Sequence, residues 1–129
     1  MSTLKVNTIQ NTSANFSSTP QQIEQGRAKA WVNFKGSDTV TINDSYNVTS
    51  IDDDGTGKWV VNLSITMANT NYVVTVAGKL GDGDTEGSVM PSMRRSAFTT
   101  TTYGIRGTKV NDPDFRDCAL ITSAVFGDV

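Results

Sequence analysis

The side chains of this sequence that could do chemistry are mainly carboxylates. The chain contains 13 Asp and Glu residues, one Cys and no His. Ser-His-Asp catalysis, Cys-His catalysis and the usual zinc sites need His or several Cys, so the sequence excludes them. Hydrolysis of a glycosidic bond needs only two carboxylates, and a small depolymerase therefore stays open as a hypothesis.

Most of the acidic residues fall where the chain is predicted to turn. Asp is favoured in turns because its side chain accepts hydrogen bonds from nearby backbone N–H groups. The acids in such positions are Asp38, Asp52, Asp53, Asp54, Asp82, Asp84, Asp112 and Asp114. We interpret them as turn formers, and the sequence offers no residue that we would assign as catalytic. The prediction is that the protein is not an enzyme.

One acidic segment has a composition that suits a hard cation. Residues 81–87 (GDGDTEG) carry three carboxylates among glycines. Ca²⁺ takes about six or more oxygen ligands, however, and only these few are visible. We therefore predict no metal and no cofactor, and the sequence leaves open whether the Gly/Asp-rich loop at 78–88 binds a cation.

Charge and hydropathy exclude two classes of partner. The net charge is −2 and the basic residues are scattered among acids, whereas nucleic-acid binding needs a basic face. No apolar run approaches the roughly 20 residues of a membrane span. The first residues have neither the basic cap nor the apolar core of a signal peptide, which predicts retention in the cytoplasm until release.

Cys118 lies in an apolar run and is predicted to be a buried free thiol.

The elements that must position any site are predicted to be β-strands. Val, Thr and Ile are abundant, and apolar residues alternate with polar ones as they do on a half-buried sheet. Trp59, Val61 and Leu63 share one face of the clearest strand, and Val32 and Phe34 share one face of an earlier strand. Seven or more short strands separated by turn signals predict an all-β, antiparallel β-sandwich, jelly-roll-like, whose strand order the sequence leaves open.

Local features refine this fold. Val48 and Ile51 are three positions apart, which predicts a bulge near Ser50. Residues 45–77 are predicted to form one meander of hairpin-linked strands. The nearly continuous apolar strand at 118–126 predicts burial on both faces, or contact with another subunit. The only candidate helix is interrupted by a glycine at position 26, so no helix is expected.

The first 25 residues differ from the rest and are predicted to form an extended N-terminal arm (1–25) before the sandwich module (26–129). Residues 3–11 alternate as a short strand, with Leu4 and Val6 on one side, and a Ser/Thr/Asn tract follows them. A lone strand cannot bury its apolar side. Leu4, Val6 and Ile9 are therefore predicted to mediate oligomer contact or attachment.

Two stretches resemble a known family. Residues 4–13 (LKVNTIQNTS) resemble an N-terminal segment of tail-fibre-like proteins of marine and cyanobacterial phages. Residues 26–34 (GRAKAWVNF), with 45–51, 55–57 and 124–128, are similar to the module that often ends such fibres. The resemblance implies a homotrimeric, β-rich fibre or knob in the virion, bound to other tail or capsid proteins. The chain lacks a long shaft, which adds a head fibre or decoration protein to the hypotheses.

The leading hypothesis is therefore a phage virion structural protein, made in the host cytoplasm, that attaches through its arm and exposes its module. The alternative is a carbohydrate-binding receptor module at a fibre tip. In that case Trp31, Tyr46 or Tyr103 would stack on a host surface glycan. A small depolymerase comes third because the usual catalytic residue types are missing.

Overall fold

Two antiparallel sheets dominate the computed structural model, which describes residues 1–79, 89–109 and 114–129. The acidic segment at 81–87, with its open question of a cation, lies outside these residues. In chain order the elements are β1 (Ile9–Gln10), β2 (Ser17–Ser18), α1 (Pro20–Gly26), β3 (Ala30–Lys35), β4 (Thr41–Tyr46), β5 (Val48–Asp53), β6 (Lys58–Leu63), β7 (Val73–Lys79), β8 (Val89–Arg94), a 3-10 turn (Arg95–Ala97), β9 (Thr102–Lys109) and β10 (Leu120–Phe126).

The sandwich is built from strands β3 to β10, arranged in two four-stranded sheets. The first sheet has the order β4-β3-β10-β7 and the second has the order β5-β6-β9-β8. Neighbouring strands run antiparallel throughout. This confirms the predicted all-β sandwich, and eight strands in two sheets is also the strand count of a jelly roll. The strand order, which the sequence left open, puts β10 between β3 and β7.

The alternating side chains predicted for β3 and β6 form the centre of the core. Trp59, Val61 and Leu63 of β6 are buried, as are Val32 and Phe34 of β3. The Phe34 and Trp59 rings meet edge to face across the two sheets, with centroids 6.1 Å apart. Such a contact adds about 0.5–1.5 kcal/mol to the burial of both rings. Bulky side chains from one central strand of each sheet therefore hold the sandwich together.

A buried hydrogen bond also joins the two sheets. The hydroxyls of Tyr103 on β9 and Ser123 on β10 lie 2.7 Å apart inside the core. Burial raises the pKa of Tyr103 to about 12, so the phenol stays protonated at neutral pH. The two hydroxyls form a hydrogen bond with each other, which avoids the free-energy cost of an unpaired polar group in the core.

The path of the chain between the sheets differs from the prediction in one respect. The predicted bulge near Ser50 is confirmed, because the pairing of β5 with β6 shifts between Val48 and Ser50. The predicted meander over residues 45–77 is wrong, since β4 and β7 belong to the first sheet and β5 and β6 to the second. Asn47, at φ 55°, is the single residue between β4 and β5, where the chain changes sheets. Alternation shows which side chains point inward but not which sheet a strand joins.

The expectation of no helix is wrong, since α1 spans Pro20–Gly26. The Thr19 hydroxyl accepts a hydrogen bond from the Gln22 N–H, and the Gln22 amide oxygen accepts one from the Thr19 N–H. This capping box begins the helix, and Gly26 ends it instead of interrupting it. The arm is therefore a β1–β2 hairpin followed by a helix, and of the short strand predicted over residues 3–11 only Ile9–Gln10 forms a strand. No helix in the described part of the chain is long and apolar enough to cross a membrane.

Strand β10 alternates, although its sequence is nearly continuously apolar. Ile121, Ser123 and Val125 are buried, whereas Thr122 and Ala124 between them are only half-buried. The prediction of burial on both faces is therefore wrong for the single chain. Contact of the outer face with another subunit stays a prediction.

The edge strands β7 and β8, one from each sheet, approach each other closely. A Cβ on Gly78 of β7 would lie 2.9 Å from the ring of Pro91 on β8. Glycine is therefore needed for this approach, and the proline has no N–H to offer to a further strand. The two edges close this side of the sandwich.

Gly36→Ala is expected to destabilise the sandwich. A Cβ at Gly36 would lie 2.8 Å from the Trp59 ring and 2.9 Å from the Cys118 carbonyl oxygen. Both neighbours are fixed in the core, so we expect a loss of about 1–3 kcal/mol in the free energy of unfolding, measured by urea denaturation. Gly26→Ala is the matched control, because nothing lies within 4 Å of a Cβ there. Equal losses in the two variants would contradict the prediction.

Tyr103→Phe is expected to destabilise the protein by about 1–3 kcal/mol, because it leaves the Ser123 hydroxyl buried and unpaired. Adding Ser123→Ala should recover part of that loss. Urea denaturation of the two single variants and the double variant gives the coupling free energy of the pair. Losses that simply add would show that the 2.7 Å hydrogen bond contributes nothing.

Candidate functional site

The outer face of the first sheet carries two of the three aromatic side chains predicted to face a ligand. Trp31 on β3 and Tyr46 on β4 are partners across the two strands. Their exposed fractions are 37% and 46%. The third, Tyr103, is fully buried, so its prediction as a surface aromatic is wrong. Tyr103 and Ile105 are two positions apart and share the inward face of β9. This alternation in the sequence is the signal that could have predicted the burial of Tyr103.

A shallow hollow of about 400 Å³ lies beside Trp31 on this face. Thr122 and Ala124 of β10 form its floor, with Trp31 and Asn33 on one side and Thr75 and Ala77 on the other. Ala124 is the partner of Trp31 on β3 and of Thr75 on β7. Because Ala124 has only a methyl group, the side of the indole above β10 stays uncovered. We call this hollow the β10 groove.

The polar side chains of the β10 groove have hydrogen-bonding capacity to offer. The amide oxygen of Asn33 accepts a hydrogen bond from Asn43 Nδ2 at 2.9 Å, which engages its acceptor and not its NH₂ donors. The hydroxyls of Thr75 and Thr122 each lie 3.5 Å from a strand carbonyl oxygen, at the long limit of hydrogen bonding. The groove therefore presents an amide donor and two hydroxyls next to an indole face.

The outer face of the second sheet is charged instead. Arg94 on β8 forms a salt bridge with Asp54, and Arg106 on β9 donates to the Ser92 hydroxyl at 3.1 Å. A Cβ on Gly104 would come within 2.7 Å of the Arg94 carbonyl oxygen, so glycine permits the close approach of β8. Both guanidinium groups already contact neighbouring side chains, although Nη1 of Arg94 is buried without a hydrogen-bond partner. The first sheet is therefore the better candidate for a ligand site.

Some of the acidic residues in the described segments hold turns, but the prediction is wrong for Asp52, which lies in strand β5. Asp53 accepts a hydrogen bond from the Gly55 N–H at 3.0 Å, and Asp38 lies in the β3–β4 turn with φ 54°. Asp117, which the sequence did not single out, accepts from the Gly57 N–H at 2.6 Å. Within residues 1–79, 89–109 and 114–129, no three His, Cys, Asp or Glu side chains come together to hold a metal ion.

Cys118 is a buried free thiol, as predicted. Burial raises the pKa of Cys118 to about 11, and the nearby Asp117 carboxylate adds to that effect. The thiolate is the nucleophilic form, so this cysteine is a poor nucleophile at neutral pH. Its role in the described structure is to fill the core.

The arm exposes a second set of apolar side chains. Leu4, Val6 and Ile9, the residues predicted for attachment, are exposed at 84%, 38% and 53%. Phe16 and Ile23 are exposed as well, at 78% and 46%. Ile9 and Ile23 line two adjoining hollows, one shared with Leu4 and Val6 and the other with Phe16. We call these five side chains the arm cluster. Ile23 was missed because no helix was expected, and Phe16 because the tract around it was interpreted as a linker.

A salt bridge joins the arm to the sandwich. Lys29, which precedes β3, is only 4% exposed, and its ammonium binds both the carboxylate and the carbonyl oxygen of Glu24 in α1. The backbone of Lys29 is held too, because its N–H donates to Val125 and its carbonyl accepts from Asn47, both at 2.7 Å. The hydrogen bond from Lys29, with a contribution from Arg27, lowers the pKa of Glu24.

Comparisons with known proteins identify no relative. No family model, no curated protein and no solved structure matches the chain. Two surfaces of the described structure, the β10 groove and the arm cluster, bear on its function.

Acidification is expected to release α1 from Lys29. Because the pKa of Glu24 is lowered in the folded chain, its salt bridge stabilises the contact above the ordinary pKa of 4.5. That contribution is lost as the pH falls through the lower folded value. Amide chemical shifts of α1, followed by NMR as the pH is lowered, measure the transition.

Two variants control for other acids. Glu24→Gln should abolish the transition, whereas Asp38→Asn, which breaks the separate exposed pair with Lys35, should leave it in place. A transition that survives in Glu24→Gln would show that another group controls the docking of α1.

Proposed function

We propose that this protein is a phage virion structural protein that assembles as a homotrimeric fibre, knob or decoration protein. Its arm attaches it to other virion proteins, and its sandwich module is displayed. The observation that supports this most is the arm cluster, whose five large apolar side chains are all exposed in the single chain. The resemblance of residues 4–13 and 26–34 to tail-fibre-like proteins supports the same function.

An exposed arm cluster is unfavourable in an isolated chain. Burial of apolar surface contributes about 25 cal/mol per Å², and monomers rarely expose contiguous apolar patches larger than a few hundred Å². The arm also has little core of its own, since α1 has seven residues and buries none of them. Helices shorter than about 12 residues are marginal in water without a packing partner. Partner binding would therefore both bury the cluster and stabilise the arm.

Several copies of the same chain could provide that partner. In a closed, symmetric oligomer each copy contributes the same surface, so the arm cluster would need no other protein to complete it. The number three comes from the resemblance to trimeric fibres and not from the geometry of the arm.

Carbohydrate binding at a fibre tip is the second candidate function. Trp31 and Tyr46, paired across β3 and β4, favour it together with the adjoining β10 groove. The two candidates are compatible, because a virion protein that assembles through its arm would leave this face of the sandwich for display.

The full chain is expected to have a mass in solution of three times 13.9 kDa, measured by multi-angle light scattering. Combining Ile9→Asp with Ile23→Asp should reduce the mass to that of one chain, because assembly would then bury unpaired carboxylates. Purified phage particles should contain the full chain and lack this double variant.

Met93→Asp is the matched control, because Met93 is half-exposed on β8, outside the arm. This variant should keep the mass of the full chain. A full chain that stays monomeric at every concentration would contradict the homotrimer. A double variant that stays trimeric would contradict the role of the arm cluster.

A further inference from the structure

We propose that the β10 groove binds a neutral hexopyranose unit of a glycan, with Trp31 as the stacking surface. This inference rests on the proposed function, because it names the ligand class that the displayed module would contact. It depends on three features of the groove: an uncovered indole face, a floor of small side chains and uncharged polar walls.

Trp31 supplies the apolar contact. The faces of its indole ring carry negative charge density, which attracts the C–H groups on one side of a pyranose ring. Ala124, its partner on β10, is too small to cover the indole on that side. Tyr46, its partner on β4, continues the aromatic surface to where a neighbouring sugar unit would lie.

Asn33, Thr75 and Thr122 supply the polar contacts. Sugar hydroxyls project from the edge of the ring and need both donors and acceptors. The free NH₂ donors of Asn33 and the loosely held hydroxyls of the two threonines offer both kinds. Strands β3 and β7 lie two strand spacings apart, about 9.6 Å, so one ring on the floor can contact both walls.

The charge pattern of the groove selects a neutral sugar. None of the described side chains that line it is charged. Asp44 is the partner of Asn33 across β3 and β4, so its carboxylate lies next to one wall and would repel an acidic sugar. Lys35, two residues further along β3, is already paired with Asp38 at 2.9 Å. An anionic sugar would lose its hydration without gaining a cationic partner among the side chains that line the groove.

A second copy of the chain is the competing occupant of this face. The fully buried centre of a homo-oligomeric interface is usually more apolar than the rest of the surface. The lining of the β10 groove is mostly apolar too, but an amide and two hydroxyls lie within it, and an apolar partner would leave them unpaired. Its chemistry therefore favours a ligand that combines an apolar face with hydroxyl groups.

An array of defined neutral and anionic glycans, probed with the full chain, tests this proposal. We expect binding to neutral hexose-containing glycans only. Titration with the strongest of them should shift the fluorescence of Trp31, while the buried Trp59 contributes a constant background. Binding confined to anionic glycans, or to none on the array, overturns the proposal.

Two variants locate the site. Trp31→Ala should weaken binding about tenfold or more, because it removes the stacking surface. Thr122→Val keeps the size of the side chain and should weaken binding about fivefold, because it removes one hydrogen bond. Phe115→Ala is the matched control, an exposed aromatic outside the groove, and should leave affinity unchanged. Unchanged affinity in folded Thr122→Val and Trp31→Ala overturns the assignment.

Light scattering on the same samples separates this inference from the proposed function. A trimer that binds no glycan leaves the assembly intact and overturns the groove as a glycan site. A monomer that binds neutral glycan supports the groove and contradicts the assembly. A trimer in which Trp31 is shielded from iodide quenching, with no glycan bound, identifies the groove as an interface between copies and overturns the proposal.

Discussion

Strand β10 lies between β3 and β7, and its inner side chains contribute to the contact between the two sheets. Ile121 and Val125 pack in the core, and Ser123 between them bonds to Tyr103 of the opposite sheet. The outer side chains of the same strand, Thr122 and Ala124, form the floor of the β10 groove. The inner face of β10 therefore belongs to the core, and its outer face belongs to the candidate site. The groove can keep its shape only while the core keeps the register of β10.

The register in which β10 pairs with β3 and β7 is strongly specified. A shift by one residue would turn Ile121, Ser123 and Val125 outward and bring Thr122 and Ala124 into the core. The Phe34–Trp59 contact between the sheets opposes such a shift, because β3 pairs with β10 and carries Phe34. The same pairing sets Ala124 beside Trp31. The open indole face is therefore a consequence of core packing and not of a flexible loop.

The sequence was sufficient to predict the inward faces of β3 and β6, the bulge near Ser50 and the buried Cys118, because each depends on local alternation or composition. It was insufficient for α1, although Thr19 and Gln22 have the spacing of a capping box, because the glycine was interpreted as a break. At the candidate site, Trp31 and Tyr46 stood out by residue type. Thr75 and Thr122 did not, because threonine is common in strands and only the sheet register brings these two together with Trp31.

The contact between Gly78 and Pro91 has a consequence for association between molecules of this protein. Exposed strand edges are templates on which sheets of neighbouring molecules can grow. Here the edges of β7 and β8 face each other, and one of them carries a residue with no amide hydrogen to share. The pairing of strands between neighbouring molecules is therefore hindered on this side of the sandwich. Many copies can crowd together at high local concentration while each keeps its own fold.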